Sequence, residues 1–393
     1  MIRRHLRGMI TGVCLLCGLV GFLSFPTQAA DGAREGLALC LDIIVPSLFP
    51  FFVLSSLMIE LGLADCLGRV LERVMRPVFN LPGVCGAAVA LGFLGGYPVG
   101  ARTAIALYER GLCNRLETER LLSFCNNSGP AFIFGAVGVG LFTSGRAGFL
   151  LYLAHAAASL TVGVLFRFYR YGGGASGGRA ARRSAAPRTP PATRLPLAFV
   201  RSVSSSFQSV LGICAFVVFF AVAVRMLFLL GILPAAARGL GRLLAPFGLR
   251  ADTAEQLLTG LLEITSGLWR LQGSAASVGG RIALAAFLLG WAGLSVHCQV
   301  LSFIGESGLR TWTYLVGKAL HACFSALYAH LMIGLFGFEA SVSAYLTEQI
   351  DTLARLKFHA TLRPTLIAAA AVWLGFLALA WRLSARRRRY TVV

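Results

Sequence analysis

Leu121-Leu122-Ser123-Phe124-Cys125-Asn126-Asn127-Ser128-Gly129-Pro130-Ala131-Phe132-Ile133-Phe134 opens an apolar tract, 121–142, that polar residues interrupt near its start. About 20 apolar residues carry one helix across the hydrocarbon core of a bilayer. Asn126, Asn127 and Ser128 are costly there unless something pairs with them, and Gly129-Pro130 stops a continuous helix. Pro130 suits the first position of a new half-helix, because the N–H it lacks would have gone unpaired anyway. The peptide N–H groups around Ser128 and Gly129 would then point into the gap. Non-helical backbone persists at membrane depth only where protein or a water-filled cavity satisfies it. The tract therefore predicts a membrane helix broken to build a site; the alternative is packing, with the asparagines bridging neighbouring helices.

The rest of the chain agrees with a membrane setting. Of its 393 residues, 57% are hydrophobic and 13% charged, and the mean hydropathy is +0.75. Soluble domains carry about 25% charged residues, so this chain cannot cover a water-facing surface. The net charge of +20 raises the question of nucleic acid. Its arginines instead gather at the N-terminus, in a central loop and at the C-terminus, as positive-inside topology signals do, and no nucleic-acid module is present. Lys318 and Lys357 are the only lysines, a scarcity that reads as genome composition rather than mechanism. The ten cysteines show neither zinc-ligand spacing nor a secreted disulfide framework, and they read as small buried hydrophobes. No metal or cofactor is expected.

Predicted spans are 9–25, 37–61, 121–142, 148–168, 205–231, 282–304, 311–336 and 362–383. Residues 1–36 form an N-terminal anchor or signal-like segment; the length of the apolar run favours an uncleaved anchor. Residues 172–198, rich in Gly, Ala, Pro and Arg, read as a basic flexible linker on the cytoplasmic side. It separates a first repeat, 37–171, from a second, 199–340; an amphipathic segment, a last span and a basic tail fill 341–393. Two further stretches, 63–78 and 233–249, carry arginines on a helical period (Arg69, Arg73 and Arg76; Arg238 and Arg242) and read as helices in the interface.

Three collinear matches support a duplication. Arg73-Val74-Met75-Arg76-Pro77 matches Arg242-Leu243-Leu244-Ala245-Pro246, and Gly92-Phe93-Leu94-Gly95-Gly96 matches Gly260-Leu261-Leu262-Glu263-Ile264. Leu153-Ala154-His155-Ala156 matches Ala319-Leu320-His321-Ala322. If 84–106 and 253–271 are re-entrant hairpins, about eight crossings keep the N-terminus, linker and tail inside. The two repeats then enter from opposite sides, as in many secondary transporters. The fold class is thus an all-α polytopic membrane protein of two inverted repeats, although Arg238, Arg242 and Arg250 fall outside.

Besides the tract that opened this section, three interruptions mark candidate site residues. They contribute Gly95, Gly96, Tyr97, Pro98 and Arg102; then Glu263, Thr265 and Ser266; then Ser295, His297 and Gln299. Together with Asn126, Asn127, Ser128 and Gly129 these form the candidate substrate site. Half-helices starting at Pro98 and Pro130 aim positive dipole ends at the midplane, where broken-helix transporters bind anionic groups. Glu263 is the one carboxylate deep in an apolar tract. It marks either an ion-coupling position or a structural salt bridge to Arg102 or Arg270. His297 and Gln299 face a substrate or a neighbouring helix; His155 and His321 recur at matching positions and read as a shared helix contact. No GxSxG, HExxH or P-loop motif is present, so no enzyme is expected.

Ile44-Val45-Pro46-Ser47-Leu48-Phe49-Pro50-Phe51, Gly95-Gly96-Tyr97-Pro98-Val99-Gly100-Ala101 and Phe124-Cys125-Asn126-Asn127-Ser128-Gly129-Pro130 resemble the sporulation integral membrane protein YlbJ family. So do Gly260-Leu261-Leu262-Glu263-Ile264-Thr265-Ser266-Gly267 and Gly293-Leu294-Ser295-Val296-His297. The halves are similar to the Gate, or nucleoside recognition, domain of spore maturation proteins and of relatives of concentrative nucleoside transporters. The resemblance implies a role in a membrane around the developing spore, and an association with accumulation of dipicolinate, a small aromatic dianion. Helix N-termini with Arg102 nearby suit such an anion. Expected partners are the bilayer, a small anionic substrate and other sporulation membrane proteins, with no nucleic acid.

Overall fold

A computed structural model describes residues 18–61, 63–170, 195–247, 251–274, 276–305 and 307–336, together with 12 and 16. The predicted last span, the tail, part of the first apolar run and nearly all of the basic linker lie outside the described residues. All regular structure within them is helical.

In the first half, α1 (Pro26–Leu39) runs through a π-turn, Cys40–Ile44, into α2 (Val45–Glu60). Then comes α3 (Leu63–Val74), which buries Leu71 and Val74 and exposes Arg69, the one-sided burial expected of an amphipathic helix. A π-turn, Met75–Phe79, ends at Asn80 in the left-handed conformation, a residue that tolerates it. Next are α4 (Gly86–Gly95), α5 (Val99–Glu109), α6 (Arg115–Leu122), the π-helical α7 (Ala131–Leu141) and α8 (Gly145–Phe166). Asn114 and Glu117 close a reciprocal capping box on α6, and the Ser144 side chain caps α8.

The second half follows the same order. It holds α9 (Leu195–Leu229), the amphipathic α10 (Ile232–Leu244), the close pair α11 (Ala251–Leu262) and α12 (Ile264–Trp269), then α13 (Val278–Trp291), α14 (Gly293–Gly305) and α15 (Thr311–Phe336). Among the described residues, four helical stretches are long and apolar enough to cross a bilayer: Gly145–Phe166, Leu195–Leu229, Val278–Gly305 and Thr311–Leu335. A fifth crossing would need the bent pair Gly68–Phe79 and Gly83–Gly95, which turns by 95°. The tract 121–142 is no continuous span; α6 stops at Leu122 and α7 starts at Ala131. Helix α9 starts inside the stretch expected to be linker.

Contacts between the halves are reciprocal. Helix α5 packs on α14 while α7 meets α12; α6 packs on α15 while α13 packs on α8. The first helices face each other, α1 and α2 against α9, and so do the last, α8 against α15. Small residues let the halves approach, since a Cβ on Gly317 of α15 would overlap the Ser123 carbonyl. They do the same within the second half, where a Cβ on Gly290 of α13 would lie 2.6 Å from the Ala322 Cα of α15. Such contacts favour helix association where lipid removes any hydrophobic drive. The outer surface is apolar, with Leu37, Leu54, Phe149, Phe207, Phe219 and Leu331 all exposed.

Candidate functional site

The first hairpin is built to hold the broken span. Gly96, between α4 and α5, has φ +79 and ψ −179, a region open in practice only to glycine. A Cβ there would meet the Gly129 nitrogen at 2.8 Å. Beyond it the Tyr97–Pro98 peptide is cis. On the facing sides of the two helices, Gly92 and Gly100 leave a slot that the Cys125 carbonyl fills; a Cβ on either glycine would overlap that oxygen. Absent side chains thus bring unwound backbone against the hairpin. The Tyr97 hydroxyl in turn faces Ser128.

Residues from both halves meet at this unwound segment. The Asn126 amide donates to the Tyr314 hydroxyl of α15 at 3.3 Å, and that hydroxyl lies 2.9 Å from His297 Nδ1 of α14. Asn127 Nδ2 donates to the Phe124 carbonyl at 3.0 Å. Ser128 N–H donates to His155 Nε2 at 2.9 Å, so it does not open into the gap as expected. That bond places the ring proton of a neutral His155 on Nδ1. The rings of His155 and His321 meet tilted at 43° with centroids 4.3 Å apart, a direct contact between α8 and α15. His321 Nε2 faces the His155 carbonyl at 3.0 Å and is the donor there, which leaves Nδ1 as the acceptor.

The residue facing that acceptor is Lys318, dismissed above as a trace of genome composition. Its Nζ lies 3.4 Å from His321 Nδ1, donates to the Asn126 carbonyl at 3.1 Å and sits 5.9 Å from the centre of the Tyr97 ring. The side chain is 1% exposed. A sequence signal existed, since a lysine inside an apolar span reads by default as functional. Tyr314, fully buried, carried no such signal.

Six polar atoms here have no protein partner among the described residues: the Tyr97 and Ser128 hydroxyls, Asn126 Oδ1, Asn127 Oδ1, His155 Nδ1 and His297 Nε2. Buried polar groups are nearly always paired. Their concentration beside a break marks a place for a solute or water.

The structure corrects several expectations in the second half. Between α13 and α14 only Ala292 and Gly293 leave helical geometry, with positive φ of 79 and 83. Ser295, His297 and Gln299 therefore lie on a regular helix, not in an unwound loop. Gln299 reaches no polar partner in the centre; with Ser302, Gln208 and Ser209 it lines a cleft of 190 Å³ between α14 and α9. Glu263 pairs with neither arginine. Its carboxylate accepts from the Thr265 and Ser266 N–H groups at 3.0 and 2.7 Å and caps α12. Charge and cap suit each other, because the orphan N–H groups of a helix start favour a carboxylate. Arg270 binds Glu255 at 3.1 Å and stacks on Phe228. Arg102 points away from the break, over the Phe52 ring and toward Ser205 of α9, whose carbonyl is 3.3 Å from Nη2. Gly96, Tyr97, Asn126, Asn127, Ser128, Gly129 and His297 gather at one centre. Arg102, Thr265, Ser266 and Gln299 stand outside it.

Apolar spans, glycine-packed helices and a broken helix with unpaired polar atoms define an integral membrane protein organised around a buried polar centre. Residues 42–172 match the Gate family, described as nucleoside recognition. The chain is 32% identical over 325 residues to the sporulation integral membrane protein YlbJ of Bacillus subtilis strain 168, covering 79% of each chain. It belongs to that YlbJ family. A shorter match, 35% identical over 78 residues, joins it to an uncharacterized protein of Alkalihalophilus pseudofirmus, covering 19% of this chain and 17% of that one. No solved structure matches.

Proposed function

We propose that this protein is a secondary transporter or facilitator of a small anionic metabolite during sporulation, in a membrane around the developing spore, and not an enzyme. The carrying observation is the cluster of unpartnered groups at Asn126, Asn127 and His297, buried where the halves meet. Dipicolinate is the solute to which the family resemblance points. Uridine is the rival solute, because the matching family is described as nucleoside recognition.

The two halves act as inverted repeats that rock about the centre. The recurring element order and reciprocal packing support this reading, and broken helices at a repeat interface are where such folds bind substrate. Gly95, Gly96, Tyr97, Asn126, Asn127, Ser128 and Gly129 supply the first wall and His297 the second, with Ser295 and Gln299 on the helix behind. Glu263 is the group that takes a coupling proton or sodium ion, its oxygens leaving the Thr265 and Ser266 N–H groups as it does so. Other sporulation membrane proteins are the expected partners.

Uptake of labelled dipicolinate into liposomes holding the purified protein tests the function, with uridine in parallel. Uptake of neither by folded protein would sink the transport reading. Side-specific labelling of Gly111→Cys and Gly273→Cys, both at positions with open space around the Cβ, tests the topology. Labelling of Gly111→Cys from outside only would overturn the first re-entrant hairpin.

A further inference from the structure

We infer that Lys318 is the fixed positive charge that selects a small organic carboxylate at the centre, the solute supplying the counter-charge that the protein withholds. The inference rests on the central site proposed above and names what that site accepts.

A lysine ammonium has three donors and no acceptor. The hydrogen-bond and ring contacts of Lys318 are all with acceptors, the Asn126 carbonyl, His321 Nδ1 and the face of the Tyr97 ring, and the Cys125 thiol lies nearby. These neighbours stabilise an ammonium, but none carries negative charge. Two carboxylates are buried among the described residues, Glu119 and Glu263, and both are engaged elsewhere. Glu119 binds Arg115 at 2.9 Å and the Arg310 N–H at 3.2 Å; Glu263 caps α12. Removing a charge from water costs several kcal/mol even in real proteins, so an unpaired ammonium at the heart of a membrane protein calls for a reason. An incoming anion is one.

Hydrogen-bond bookkeeping around Tyr314 points the same way. Its hydroxyl accepts from Asn126 Nδ2, which leaves its own proton for His297 Nδ1. The His297 proton is then on Nε2, an unpartnered donor, as is His155 Nδ1–H. An ammonium and two free imidazole N–H groups suit a carboxylate. The Asn126 carbonyl links Lys318, on α15 of the second half, to the break of the first, so an anion bound there touches both halves.

The test is thermal unfolding and equilibrium binding of the full chain in detergent, wild type against Lys318→Met and Lys318→Arg. The probes are labelled isophthalate, an aromatic dicarboxylate, and uridine as the neutral control. Replacing a poorly compensated buried ion by an apolar side chain is often stabilising, so Lys318→Met should unfold at a higher temperature than wild type without solute. Isophthalate should raise the wild-type midpoint and leave the Lys318→Met midpoint unmoved, its binding at least tenfold weaker; Lys318→Arg should retain part of it. Isophthalate binding by Lys318→Met within twofold of wild type would overturn the inference, and so would a wild type that binds only uridine. Binding needs no transport. Liposomes that fail to take up isophthalate while wild type binds it through Lys318 would sink the transport reading and leave this one standing.

Discussion

The two broken spans open different amounts of backbone and use their polar residues differently. The first leaves helical geometry over 123–129, the second only at Ala292 and Gly293. Around the first, Asn126, Asn127 and His155 keep unpartnered atoms. Around the second, Trp291 Nε1 donates to the Leu261 carbonyl at 3.2 Å and the Gly293 Cβ position lies 3.0 Å from the Ile264 nitrogen; these contacts hold helices together. Two breaks in similar helical surroundings thus carry unequal chemistry. The first break leaves unpartnered polar atoms beside open backbone, while the second packs helices together and, through α14 and α15, brings side chains to the centre.

The contrast can be broken by experiment. The largest effect is expected at the slot: Gly92→Leu or Gly100→Leu drives a side chain into the Cys125 carbonyl and should cost about 3 kcal/mol or more. It would be read as loss of the monodisperse species in detergent; survival of both variants would show that the hairpin does not hold the break. Next, Asn127→Leu should lower dipicolinate uptake at least tenfold with folding intact, whereas Ser295→Ala, on the regular helix of the second break, should keep most of it. Equal losses would erase the distinction between the breaks. Glu263→Gln should abolish ion-driven accumulation while solute exchange continues, and loosening the cap should cost about 1 kcal/mol in thermal unfolding. Unchanged accumulation would leave Glu263 a cap alone. Smallest is Ala292→Gly: easing a left-handed alanine should stabilise by up to about 1 kcal/mol. A clear loss of stability would show that the methyl group holds the second break together.

The first break was legible because glycine, proline and asparagine cannot pass unnoticed in an apolar tract, and the Gly95–Pro98 turn was legible for the same reason. Residues 293–299 misled, because Gly293 does start something, but the bend lies on Ala292, whose type hides its left-handed backbone. The partners of Glu263 were misjudged on the assumption that a buried acid seeks an arginine; the N–H groups two and three residues on were closer. Arg102 was placed in the site from its nearness in sequence to Pro98. It lies a turn along α5 from Pro98 and points toward α9, and no periodicity reports which neighbour a helix face will meet. Lys318 was in plain view.

A groove floored by two glycines and filled by a carbonyl is a clamp, not a bearing. Neither Gly92 nor Gly100 carries a side chain that could change rotamer to release the Cys125 oxygen, so any displacement of α4 and α5 carries the unwound segment along. The freedom to move then falls to the seams where side chains meet side chains, α5 on α14 and α7 on α12. On the proposed function, the solute's seat would travel as a rigid insert, and the walls that hide or reveal it would be those of the opposite half.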